Sequence, residues 1–166
     1  MELASIASGS SGNCIYIGNR DSHFLVDAGI SRKRIVEGLE EMEIKPENID
    51  GIFVTHEHMD HISGLGVFLR KYPVPVYATG KTIDCILKTR SLGKVDPDLF
   101  VSVSPDHPVK VGNVKVEASS VYHDAADPVC YTFQDEESKV GIATDFGTYD
   151  AVSYTHLRAH ETRSNL

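Results

Sequence analysis

Short apolar runs that end on metal-ligating side chains constrain this chain more than any other feature. Phe24-Leu25-Val26 leads into Asp27, Ile52-Phe53-Val54 into Thr55-His56-Glu57-His58-Met59-Asp60-His61, the run at 118–122 into His123, and the run at 140–144 into Asp145. In open α/β sheets, binding groups gather in loops at the carboxyl ends of strands, so four such endings predict a common edge where these residues meet. The stretch 56–61 alone carries three imidazoles and two carboxylates. That ligand set suits zinc, iron or manganese, with one ring nitrogen of each histidine on the metal and the other held by a partner. A helical H-E-x-x-H site is excluded because Asp60 stands where its second histidine would be, and the cluster is expected in a loop.

The remaining pattern predicts an α/β fold. Strands are expected over 3–7, 14–18 and 23–26 as an N-terminal meander, and over 51–55 leading into the cluster. Ser31 caps a helix running to Met42, with Ile35, Val36, Leu39 and Met42 on one face. A second helix over 63–72 is closed by Pro73, and a strand over 74–78 contains Pro75, which marks an edge or an irregular start. A third helix over 79–89 should turn Ile83, Ile86 and Leu87 inward. Gly112-Asn113 reads as the turn of a hairpin over 109–116, and two more strands are expected over 129–133 and 139–144.

Composition narrows the function classes. With 41% apolar and 24% charged residues the chain is globular, and no apolar run reaches membrane-spanning length. The first residues lack a basic segment followed by an apolar core, so a cytoplasmic protein is expected. Cys14, Cys85 and Cys130 form no CxxC pair, which argues against a disulfide framework or a thiolate zinc site. A net charge of -8 argues against a nonspecific nucleic-acid coat, but not against a nuclease whose bound cations reverse the local sign.

The H-x-H-x-D-H pattern resembles the metallo-β-lactamase fold superfamily. The segments Ala7-Ser8-Gly9-Ser10-Ser11-Gly12-Asn13, Val26-Asp27-Ala28-Gly29, Gly64-Leu65-Gly66-Val67 and His123-Asp124-Ala125-Ala126-Asp127-Pro128 extend the resemblance to its bacterial, nuclease-like YycJ/WalJ branch. The resemblance implies a four-layer αβ/βα sandwich with two divalent metal ions (zinc, manganese or iron) at one edge of its sheets. By the same resemblance His56, His58 and His123 hold one ion, Asp60 and His61 belong to the second, and Asp145 bridges both. Asp60, His61 and Asp145 are thereby the catalytic candidates, Asp27 supports the cluster, and the loop at 8–13, with Ser11 and Asn13, lines the cleft. The implied reaction is attack of a metal-bridging hydroxide on DNA or another phosphodiester. The alternatives are hydrolysis of a small ester, thioester or lactone, or an inactive fragment of such an enzyme. Redox di-iron relatives carry glutamate at the place of His58, which favours hydrolysis.

The family pattern also requires one more histidine and further strands beyond Asp145. Residues 152–166 instead look like translated sequencing-adaptor sequence. The expectation is therefore a domain over 1–151, forming the N-terminal part of a longer family domain with an incomplete second half, followed by a non-native tail. His156 and His160, although spaced i,i+4, are not counted as ligands, and weak second-site metal binding with low activity is expected of the chain as written.

Overall fold

The computed structural model describes residues 1–143, which form two β-sheets and a helical layer. The first sheet has the order β1 (Glu2–Ala7), β2 (Cys14–Gly18), β3 (His23–Val26), β4 (Gly51–Phe53), β5 (Val76–Thr79), β6 (Phe100–Val103). Its first three strands are the expected antiparallel meander, and β3 to β6 run parallel. The connections between the parallel strands contain the helices α1 (Arg32–Glu41), α2 (Met59–Ile62), α3 (Leu65–Lys71) and α4 (Gly80–Lys88). The second sheet is antiparallel, ordered β10 (Lys139–Ile142), β9 (Val129–Gln134), β8 (Val114–Ser120), β7 (Val109–Val111).

Period-2 alternation along the first sheet builds two cores. Tyr16, Leu25, Ile52, Val76 and Ala78 face the helices and pack with Ile35, Leu39, Leu65, Phe68 and Ile86. Ile17, Phe24, Val26 and Phe53 face the second sheet and meet Val116, Tyr131, Phe133, Val140 and Ile142. Phe53 is the centre of that second core, with its ring 4.6 Å from Tyr77, 5.2 Å from Tyr131 and 5.2 Å from Phe133. The Tyr131 hydroxyl donates to the Val54 carbonyl at 2.7 Å, joining the second sheet to the backbone just before the histidine cluster. The described residues thus supply helices, sheet and sheet, in keeping with the expected sandwich.

Two local expectations are corrected and two are refined. Pro75 does give β5 an irregular start, but β5 lies inside the sheet between β4 and β6. Leu87 is 40% exposed, because α4 packs through Thr82 and Ile86, one helical turn apart. The expected helix over 63–72 is α3 alone, while the preceding turn α2 takes Asp60 and His61 out of the predicted loop. The strand β6 was not anticipated from the sequence. Ser31 caps α1 as expected, accepting the Arg34 N–H at 3.2 Å, and Gly112 makes the β7–β8 turn with φ +60°. No disulfide joins the cysteines, and burial pushes the Cys14 thiol far above its ordinary range.

Candidate metal centre

Two parallel strand ends and one antiparallel strand end deliver the site. Asp27 directly follows β3, the stretch 54–58 follows β4, and His123 lies in the 121–128 connection after β8. The short α2 begins immediately after His58, so Asp60 and His61 leave the same turn at different angles. Close approach of two backbones makes this possible. A Cβ on Gly29 would fall on the Asp60 carbonyl, and one on Gly64 would fall on the Ile30 carbonyl. Backbone hydrogen bonds then seal the contact, from Asn13 N–H to Asp60 O at 2.8 Å and from Ala28 N–H to His61 O at 2.8 Å.

Four imidazoles pack together at this edge. The His56 ring centroid lies 4.7 Å from His58, 4.6 Å from His123 and 4.1 Å from His61, and His58 lies 4.9 Å from His123. His56, His58 and His123 each offer a ligand atom within 4.8 Å of the other two, a group able to hold one metal ion. His56 and His61 are buried, and burial, with the neighbouring imidazoles, pushes the His56 pKa down to about 4 against the pull of Asp27. The neutral form that remains at pH 7 is the form that binds a cation.

Asp27 sets the tautomers. It occupies the left-handed region with φ +66°, which aims its carboxylate back under the cluster. Its Oδ1 accepts the Thr55 N–H at 2.8 Å, while Oδ2 accepts the Thr55 hydroxyl at 2.8 Å and contacts His61 Nδ1 at 2.6 Å. A carboxylate only accepts, so His61 carries its proton on Nδ1 and presents a lone pair on Nε2. Because the Thr55 hydroxyl donates its one hydrogen bond to Asp27, at 2.9 Å it accepts from His56 Nδ1–H and leaves His56 Nε2 as the atom that can bind a metal. At His56 and His61 the donor set therefore fits a divalent cation, each imidazole having its Nδ1 held by an oxygen partner and presenting Nε2.

Asp60 and His61 form a second pair. His61 Nε2 is 3.5 Å from Asp60 Oδ2, a separation suited to two ligands of a single ion. Asn13 braces this pair, its amide nitrogen lying 3.3 Å from His61 Nε2 and 3.4 Å from Asp60 Oδ2 and donating to Gly9 O at 2.9 Å. Ser11, by contrast, is exposed and makes no hydrogen bond to the cluster among the described residues. Asp145 lies outside the described residues. The sequence reading gave no task to Thr55 or Glu57, although both stand inside the motif; only the fold reveals that Thr55 relays Asp27 to His56.

A strand-delivered cluster of this kind, on a helix–sheet–sheet frame, defines a metallo-hydrolase fold class. The chain belongs to the Metallo-beta-lactamase superfamily, whose sequence profile matches residues 7–163. It is 39% identical over 147 residues to exodeoxyribonuclease YycJ of Bacillus anthracis, covering 89% of this chain and 55% of that protein. It is 40% identical over 142 residues to exodeoxyribonuclease WalJ of Streptococcus pneumoniae, covering 86% of this chain and 53% of that protein. The chain thus spans about half the length of these relatives. Among solved structures, the metallo-beta-lactamase fold protein YhfI of Bacillus subtilis matches with TM-score 0.70 at 17% identity, over 90% of this chain and 64% of that one. The metallo-beta-lactamase SMB-1 matches with TM-score 0.67 at 18% identity, over 99% of this chain and 74% of that one. These last two likenesses establish the fold. No helix among the described residues is long and apolar enough to cross a membrane.

Proposed function

We propose that this chain carries the metal-binding part of a divalent-metal-dependent phosphodiesterase that acts on DNA from an end, in the cytoplasm. The observation that carries the reading is the convergence of His56, His58 and His123 within 4.8 Å in a chain about 40% identical to exodeoxyribonucleases. In this reading His56, His58 and His123 hold one ion, Asp60 and His61 hold part of a second, and Asp145 supplies the carboxylate shared between them. When bound, two such cations would activate water and neutralise charge on the phosphodiester. Zinc, manganese and iron all suit this ligand set.

The chain's own groups prepare that chemistry. Asp27 and Thr55 hold His56 and His61 in the tautomers that expose Nε2. Asn13 orients Asp60 and His61 and ties them to the glycine loop at 8–12, which borders the site. With a net charge of -8, the protein repels a polyanion until cations load this edge, so DNA binding should itself require metal. The test is digestion of linear DNA with free or blocked 5′ ends in manganese or zinc. Metal-dependent release of nucleotides that is lost in His58→Ala supports the proposal. Turnover of p-nitrophenyl esters with no action on DNA under either metal overturns it in favour of a small-ester hydrolase.

A further inference from the structure

Glu57 lies between two candidate ligands and is half-buried, and among the described residues its carboxylate meets no lysine or arginine. Oε2 accepts the Ala126 N–H at 3.0 Å, a contact spanning 69 positions in the sequence. Oε1 is buried and finds no hydrogen-bond partner among the described residues. An oxygen of that kind is unusual in a folded protein and calls for a physical reason. A glutamate with a merely solvated role would leave both oxygens in water.

The 121–128 connection explains what the contact does. Its base is closed by Val121 N–H to Pro128 O at 3.2 Å, and Val129 N–H donates to Thr55 O at 3.0 Å. The Thr79 hydroxyl holds the Asp127 carbonyl at 3.0 Å from the α4 side. Within the connection, Ala125 N–H donates to His123 O at 2.9 Å, so His123 to Ala125 form a tight turn that Ala126 directly follows. Anchoring Ala126 therefore anchors His123. The segment Thr55-His56-Glu57 is tied to residues 126–129 at both ends, through Thr55 O and Glu57 Oε2, with His56 between the ties.

We propose that Glu57 is a positioning residue that latches the His123 turn onto the His56–His58 loop, bringing the third imidazole to the other two. The inference rests on the metal-binding reading above for its purpose, but the latch itself is a property of the apoprotein. The negative charge beside two candidate ligands is also complementary to a cation held there, so loading the site and closing the latch favour one another.

The test uses the full 166-residue chain with Glu57→Ala and Glu57→Gln, read by cobalt(II) titration with its visible spectrum and by amide hydrogen exchange over 121–128. Glu57→Ala should weaken cobalt binding roughly 10–100-fold, alter the ligand-field bands and expose the 121–128 amides to exchange. Glu57→Gln keeps an acceptor oxygen, so it should restore the amide protection and recover part of the affinity. Wild-type affinity, spectrum and exchange in Glu57→Ala would overturn the latch. If the unaltered chain takes up no cobalt, the metal reading fails by itself; the exchange comparison then still decides, protection lost in Glu57→Ala supporting the latch and protection unchanged refuting it.

Discussion

Both oxygens of Asp27 serve the histidine cluster, one through the Thr55 backbone and the other through the Thr55 hydroxyl and His61. Asp27→Asn keeps the size but replaces one acceptor by a donor, which cannot satisfy all three contacts. His61 or Thr55 must then reverse its hydrogen bond, and the affinity for divalent metal should fall roughly 10–100-fold, measurable by calorimetric titration with zinc. The type and order of the candidate ligands were legible in the sequence because a ligand-rich stretch after an apolar run has few other uses. The partner of each ring nitrogen was not. Thr55 and Glu57 act across 28 and 69 positions, and nothing local in the sequence encodes which distant group meets them.

At the scale of elements, the site depends on α2 lying flush against the backbone that follows β3. Gly29→Ala would drive a methyl group into the Asp60 carbonyl, so α2 must move. We expect a loss of about 1–3 kcal/mol in urea unfolding, with metal affinity falling alongside. Gly80→Ala is the matching control, since an added Cβ there meets nothing nearer than the Ser102 hydroxyl at 3.5 Å; stability should hold or rise by about 0.4–1 kcal/mol. Tyr131→Phe removes the hydroxyl that reaches Val54 O from the second sheet, leaving a buried carbonyl with one fewer partner. It should cost about 1–3 kcal/mol in the same measurement. The meander, α1 and the β7–β8 hairpin were legible because caps, turn residues and alternation agree locally. The inward face of α4 and the interior place of β5 were not, because they depend on which neighbour arrives: β6 covers β5, and Thr82 displaces Leu87 from the core face.

For the molecule as a whole, the buried His56 imidazole couples folding to acid. His56 has its pKa lowered from 6.5 to about 4 in the folded chain, chiefly by burial. Between those values the unfolded chain binds the additional proton, so its contribution to stability is intact above pH 6.5 and is lost as the pH falls toward 4. Urea midpoints of the metal-free chain should therefore decline through that window, and saturating zinc should oppose the decline because only the folded form assembles the site. A midpoint that stayed flat across the window would contradict the burial of a neutral His56. The α/β class was legible from strand and helix order and the sandwich was implied by the family resemblance, whereas the joining of the meander to the parallel strands rests on the pairing of β3 with β4, which no single segment specifies.

Whether His56, His58 and His123 together hold a divalent cation is decided by zinc titration against a competing chelator, on the full chain and on His58→Ala. The full chain should hold zinc tightly, and the affinity should fall in His58→Ala by more than the roughly 10–100-fold that loss of a supporting residue gives. Zinc that fails to bind the unaltered chain, or binds His58→Ala equally well, would contradict it.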